Sequence, residues 1–326
     1  MADCTLLVLT YKGKHHLEYL LPTIAETLQQ TDPAYTIDVL VVDNGQDEAT
    51  RQYVMENFPS VTYKFSPVND YLFSLNPFVK ELSSEYVFIL NDDMRLHTGV
   101  LNKILPLMQK DTGLFALTCC IRDWDDTYTA SAVRMGTYTR GWFNHYYLDP
   151  DETHLKYTLY PGGGAAIFRT AYFNELGGFD DLYRPAYSED ADLGIRAWQR
   201  GWKTIYHPAA LLYHREGGTI NDQFKKDKLE QMIYKNQVLW MIKNVRMKGF
   251  MFWFIVLFPY RLLVNAFKNK NVFRALVHAV PVFFKAYSRR LKQKLYVTDK
   301  VWLKFLNRDY LNISLTGITK TTNKNN

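Results

Sequence analysis

Between residues 5 and 90, four short apolar runs alternate with helical segments, and no other feature restricts the fold of this chain as strongly. Residues 5–10, 37–42, 61–65 and 86–90 have strand length and are rich in β-branched, aromatic and leucine side chains. The intervening stretches 15–30, 48–57 and about 74–82 have helical character. Asp32-Pro33 closes the first, and Asp43-Asn44-Gly45 is a turn signal after the second strand. Strands alternating with helices at this spacing predict an α/β fold with a mostly parallel central sheet flanked by helices. Ligands of such a sheet bind beyond the carboxyl ends of its strands, where Thr10, Tyr11, Asp43 and Asn91-Asp92-Asp93 are expected to converge.

Two acidic clusters carry the chemistry. Asn91-Asp92-Asp93 follows the buried run 86–90, so its carboxylates stand at a strand end and can hold a divalent metal. Far downstream, Glu189-Asp190-Ala191-Asp192 opens an amphipathic helix in which Leu193, Ala197 and Trp198 share a face and Gly201 supplies the stop. A metal-binding acid pair plus a helix-start acid that can take a proton is equipment for transfer chemistry on a phosphorylated substrate. The helix macrodipole also favours acids at this position, which explains acids in general but not this string. Asp192 and Arg196 lie one turn apart and can pair.

After Leu96 the pattern loosens. Residues 99–110 read as a helix, whereas 121–160 hold Tyr, Trp, Asp and Arg with little periodicity and read as a loop-rich cap or pocket wall. The run Pro161-Gly162-Gly163-Gly164-Ala165 then allows close approach to the backbone before a short strand at 166–168. A polar segment at 318–326 is expected to fray.

Three cysteines (Cys4, Cys119, Cys120) are too few for a disulfide framework and lack zinc-site spacing, and no secretory signal opens the chain, so a reducing cytoplasmic setting is expected. The net charge of +6 conceals an asymmetry: residues 241–326 hold 17 Lys and Arg against 2 Asp and Glu, while residues 1–240 hold 22 against 31. A basic, aromatic tail suits a polyanion. The apolar run 250–258 covers about half the ~20 residues needed to cross a bilayer. Further apolar positions alternate with Arg274, Lys285, Arg289 and Arg290. This pattern favours helices lying on an anionic membrane surface over nucleic acid, with a helical pair packed on the body as the alternative. The expected division is a body at 1–220 and a basic, membrane-associating helical extension at 221–326.

In order and spacing these motifs resemble the family 2 glycosyltransferases, especially their rhamnosyltransferase-like bacterial branch. The resemblance spans residues 4 to about 220 and rests on residues 41–45 (Val-Val-Asp-Asn-Gly), Leu90-Asn91-Asp92-Asp93 and Gly163-Gly164-Ala165. It continues through residues 177–180 (Gly-Gly-Phe-Asp), Glu189-Asp190-Ala191-Asp192 with Arg196, and His214. It implies a GT-A fold and an inverting, metal-dependent transfer from a dTDP- or UDP-linked sugar to a glycan or lipid-linked acceptor, at the inner face of the cell membrane. By the same resemblance Asp93 and His214 hold Mn²⁺ or Mg²⁺, and Asp190 is the catalytic base. Thr10, Tyr11, Asp43 and Asp92 face the nucleotide, while Gly163, Gly164, Ala165, Glu189 and Asp192 surround the sugar or acceptor. Two departures stand out: Asn91 replaces the first acid of the usual DxD, and the pattern after the third strand is degraded to Pro67-Val68-Asn69-Asp70. No Gly-rich phosphate loop follows the first strand, which argues against a dinucleotide enzyme or a pyrophosphorylase. A catalytically silent nucleotide- or glycan-binding protein of the same fold is the rival from another class.

Overall fold

The computed structural model describes residues 2–131, 133–148, 153–215, 224–306 and 308–315. The expected body–tail boundary at 220–221 and the polar segment at 318–326 lie outside them. The alternating region forms strands β1 (Cys4–Thr10), β2 (Ile37–Asp43), β3 (Thr62–Phe65) and β4 (Tyr86–Asn91). Helices α1 (Lys14–Gln30), α2 (Glu48–Asn57) and α3 (Leu75–Glu81) connect them. Leu17, Leu20, Leu21 and Ile24 recur at helical spacing and bury the inner face of α1. Asp47 caps α2 by accepting from the Thr50 N–H. β1 pairs in parallel with both β2 and β4, and β2 with β3. Thr10 stands opposite Asp43 and Leu9 opposite Asn91, so the three strand ends are nearly level.

Past β4 the direction reverses. β11 (Ala165–Arg169) runs antiparallel to β4 on one side and to β6 (Leu114–Asp123) on the other. β12 (Lys203–His214) then lies parallel to β6, and β10 (Lys156–Tyr157) closes that edge antiparallel. The strand order is β10-β12-β6-β11-β4-β1-β2-β3, with β5 (Met94–Leu96) on β12 and β7 (Thr129–Ser131) on β6. The fold is thus mixed α/β, parallel through its first four strands. Helices α4 (Val100–Lys110), α5 (Thr170–Leu176) and α6 (Glu189–Arg200) cover it.

The stretch 121–160 is more regular than its sequence suggests. It contains a second sheet, the hairpin β8 (Arg134–Thr139) and β9 (Trp142–Tyr147). Its two-residue turn, Arg140-Gly141, has φ of 43° and 74°, the left-handed pair that suits a tight hairpin with the native twist.

Five α-helices follow among the described residues: α7 (Lys226–Asn244), α8 (Phe250–Lys268), α9 (Lys270–Ala279), α10 (Phe283–Lys292) and α11 (Asp299–Leu306). Val238, Leu239, Trp240 and Met241 of α7 are buried in a hydrophobic cluster that runs without a break from Cys4 to Leu315. The Tyr296 and Val297 N–H groups donate to the Gln199 carbonyl, and Trp302 stacks on Trp198. Two of the cations expected to face lipid do not. Arg289 pairs with Asp180 and Asp181, while Arg290 donates to the Ile242 and Val245 carbonyls at the end of α7. The last carbonyls of a helix lack partners of their own, so a cation within reach is drawn inward. Arg274 and Lys285 remain exposed.

Candidate active site

The strand ends bring one pair together as expected. Asp93 follows β4, and His214 is the last residue of β12. Their side chains meet with Nε2 of His214 3.2 Å from Oδ2 of Asp93. The other carboxylate oxygen, Oδ1, is buried without a hydrogen-bond partner among the described residues. A backbone bond from the Arg215 N–H to the Asp93 carbonyl at 3.0 Å fixes the approach.

The neighbouring acids face inward. Asp92 accepts from the Thr10 hydroxyl at 2.5 Å, and burial pushes its pKa up to about 7 against that bond. Thr10 and Asp92 are thus paired with each other across the ends of β1 and β4. Asp43 has no exposed surface; it accepts from the Gly45 and Asp47 N–H groups, both at 2.7 Å, and from the Tyr63 hydroxyl at 2.9 Å. Its three bonds shape the loop into α2, and a nucleotide would meet that loop and not the carboxylate. Tyr11 does stand at an open rim, with the Lys12 ammonium 5.8 Å from its ring.

The second cluster sits on α6. Two consecutive non-glycine residues, Tyr187 (φ 72°) and Ser188 (φ 75°), precede the helix in the left-handed region. That conformation costs energy and persists only where the surroundings impose it. Asn236 of α7 does so: its Nδ2 donates to the carbonyls of Tyr183, Ala186 and Tyr187 at 2.7, 2.8 and 3.0 Å. Asp192, expected beside the sugar, is instead fully buried. It accepts from the Tyr183 hydroxyl, Arg196, Lys243 and Asn244 at 2.6–2.8 Å, and these donors overcome burial to hold its pKa near 2. A carboxylate this well satisfied anchors the helix and has nothing left to offer a ligand.

Glu189 and Asp190 open onto a cavity of about 630 Å³. Its floor is the turn into β11, where the Asn91 N–H donates to the Gly164 carbonyl at 3.0 Å. A Cβ on Gly164 would fall 2.2 Å from Asn91 Oδ1, and one on Gly163 would fall 2.8 Å from Leu72 Cδ1. Glycine at 164 lets the turn close onto the strand end, and glycine at 163 leaves room for Leu72. Ala165, by contrast, is buried within β11 opposite Leu90 and lines nothing.

Several walls of this cavity escaped sequence reading: Arg134, Trp142 and His145 of the hairpin, Tyr160, and Tyr234 and Gln237 of α7. The hairpin's Arg-Gly turn was the available signal; nothing local marks α7. Burial holds the His145 pKa down at about 4, so it lines the cavity as a neutral imidazole. Another cavity, about 580 Å³ between α5, α6 and α10, contains none of this set, and its Lys243, Arg196 and Arg289 are already paired with acids.

Burial raises both carboxyls of the Glu189–Asp190 pair, and the Asp190 charge adds to the cost of ionising Glu189. Arg134 and the N–H groups of Ala191 and Gly163 favour ionised Asp190, whereas Glu189 is pushed up to about 8. Of the pair, Glu189 is the more readily protonated and Asp190 the more readily ionised. Because the folded pKa of Glu189 lies above its unfolded value, its contribution to stability is complete at pH 4 and is lost as pH rises through 8. Glu189→Gln, which mimics the protonated side chain, is expected to raise the melting temperature at pH 9 by roughly 5 °C and to leave it unchanged at pH 4. Calorimetry at the two pH values checks this.

This arrangement of a parallel half-sheet, a reversed strand after Gly163-Gly164, and a carboxylate helix against it is that of the GT-A fold. Solved glycosyltransferases share it. GalNAc-T7 with UDP, GalNAc and Mn²⁺ aligns with a TM-score of 0.57 and 13% identity over 91% of this chain, which spans only 59% of that protein. Staphylococcus aureus TarS 1–349 in complex with UDP-GlcNAc aligns with a TM-score of 0.57 and 16% identity, over 87% of this chain and 81% of TarS. By sequence, an N-acetylglucosaminyl-diphospho-decaprenol L-rhamnosyltransferase of Mycobacterium tuberculosis is 26% identical over 240 residues, 65% of this chain and 76% of its own. Residues 2–233 match the model of the glycosyltransferase like family 2, and the chain belongs to that family. It is a glycosyltransferase.

Proposed function

We propose that the protein transfers a sugar from a dTDP- or UDP-linked donor to a hydroxyl of a lipid-linked glycan at the cytoplasmic face of the cell membrane, with inversion at the anomeric carbon. The observation that carries this reading is Asp190 on an aromatic-walled cavity, where Arg134 favours its ionised form, with Asp93 and His214 paired at the neighbouring strand ends. An acceptor hydroxyl is a poor nucleophile. Asp190 takes its proton as the oxygen bonds to the anomeric carbon, while the bond to the diphosphate breaks on the opposite face. Protonated Glu189 orients without competing for that proton. Asn91 and Gly164 bring the sugar ring close to the backbone.

The residues present fit a divalent cation. Asp93 has an unpartnered buried oxygen, and an imidazole stands beside it. Carboxylate with imidazole suits Mn²⁺, and hard divalent ions commonly complete their shells with substrate phosphates and water. No cluster of three or more His, Cys, Asp or Glu able to hold a metal occurs among the described residues, consistent with a site that the donor completes. When bound, the ion supplies charge neutralisation to the diphosphate leaving group.

Support for the membrane surface comes from α8. It has 19 residues and a mean hydropathy of 1.7, yet only 11% of it is buried. Phe252, Ile255, Tyr260, Leu263 and Phe267 project outward, each more than 60% exposed. Both ends of the helix touch the body: Phe250 contacts Tyr138, and Asn269 bonds to Glu230 of α7 at 2.9 Å. A helix held at both ends lies along the body, so the reading is an in-plane interfacial helix. Replacing Phe252, Ile255 and Leu263 with Asp should release the protein from phosphatidylglycerol vesicles. Each buried apolar side chain contributes about 1.5–3 kcal/mol, so partitioning should fall about a thousandfold or more in sedimentation. Unchanged binding by the triple variant would remove α8 from the membrane.

A further inference from the structure

A second cavity, of about 360 Å³, adjoins the sugar pocket and shares Trp142 and Tyr234 with it as walls. It is enclosed by α7, α8 and α9, and its lining runs from Arg261 and Asn265 to the apolar Val272 and Leu276. Arg261 is the only charged residue in this lining among the described residues. The Arg261 Nη2 donates to the Arg140 carbonyl at 2.8 Å, and the guanidinium lies 5.1 Å from the Trp142 ring centre. Its Nη1 is buried with no hydrogen-bond partner, and no carboxylate lies within ion-pair distance among the described residues. A buried guanidinium nitrogen without an acceptor is costly unless a ligand supplies one.

We infer that this cavity is an acceptor subsite in which Arg261 binds the diphosphate of a prenyl-diphosphate-linked glycan. The inference rests on the lipid-linked reading above and names its chemistry. The cavity at Asp190 meets the second one at Trp142 and Tyr234, and the second one combines one cation, Arg261, with two asparagines and the aliphatic Val272 and Leu276. A glycan joined through diphosphate to a prenyl chain has groups to match: hydroxyls, anion, hydrocarbon. Arginine is suited to the anion because its planar fork meets phosphate oxygens with two donors.

The test uses farnesyl diphosphate, farnesol and inorganic pyrophosphate as probes, read by quenching of tryptophan fluorescence with the full-length protein. Farnesyl diphosphate is expected to bind more tightly than either fragment. Arg261→Ala should weaken it about tenfold or more, and Arg261→Lys should fall between. Affinity for UDP or dTDP should not follow the series, and melting curves verify that both variants fold. Equal farnesyl diphosphate affinity in folded wild type and Arg261→Ala overturns the subsite, as does a wild type that binds farnesol equally well. Loss of nucleotide binding by the wild type itself would instead undermine the glycosyl-transfer reading, so the two failures are told apart.

Discussion

Lys243→Met is expected to lower the melting temperature by about 5–10 °C and to reduce transfer even below the transition. Lys243 lies on α7 and is 2% exposed, with its Nζ 2.6 Å from both Asp180 and Asp192. Burial outweighs these carboxylates and draws its pKa down to about 8, so it is still charged at neutral pH. Methionine keeps the length and removes the charge. Asp180 retains Arg289 and Asp192 retains Arg196, Tyr183 and Asn244, but both carboxylates lose a buried partner. Breaking a buried pair costs about 3–5 kcal/mol, and the remaining donors place this case at the low end. Each kcal/mol corresponds to about 2–4 °C in a chain of this class. The same lysine ties α7 to the first turns of α6, so loosening it should also blur the placement of Asp190. Calorimetry and a turnover assay at 20 °C separate the two effects; an unaltered melting temperature would mean that the clamp is redundant.

The parallel half of the sheet was legible because local signals agree there. Strand-length apolar runs, helical periodicity and the Asp43-Asn44-Gly45 turn all point to the same elements, and α1 and α2 begin and end within a residue of expectation. The 121–160 stretch was not legible. Its hairpin mixes polar and aromatic side chains on both faces, with cavity-lining Arg134, His145 and Tyr147 on one and Trp142 and Asn144 on the other, and that erases the alternation that marks a strand. At the site, Asp93, His214 and Asp190 stand where motif order put them. Asp43, Asp92 and Asp192 share their residue type and their motifs, yet each is turned inward by donors distant in sequence: Tyr63, Thr10, and Lys243 with Asn244. No local pattern reports such partners. The contribution of α7 was hidden for the same reason, since Asn236 acts on carbonyls 49 to 53 positions earlier and Tyr234 on a cavity whose walls reach back to Leu72. The tail's charge was read correctly as a sum but not residue by residue, because Arg289 and Arg290 are spent inside the protein.

The central claim is that Asp190 removes the acceptor's proton in an inverting transfer. Its most direct test measures nucleoside diphosphate release from dTDP- and UDP-sugars with a prenyl-diphosphate-linked glycan acceptor and Mn²⁺. The product's anomeric configuration is read by NMR, for wild type and Asp190→Asn. Asparagine keeps the size and the contact with the Ala191 N–H but cannot accept the proton. The account predicts acceptor-dependent release by the wild type, an inverted product, and a fall of about 10²-fold or more in kcat for Asp190→Asn with nucleotide affinity retained. A product of retained configuration, or an Asp190→Asn enzyme that matches wild type at saturating acceptor, would contradict it.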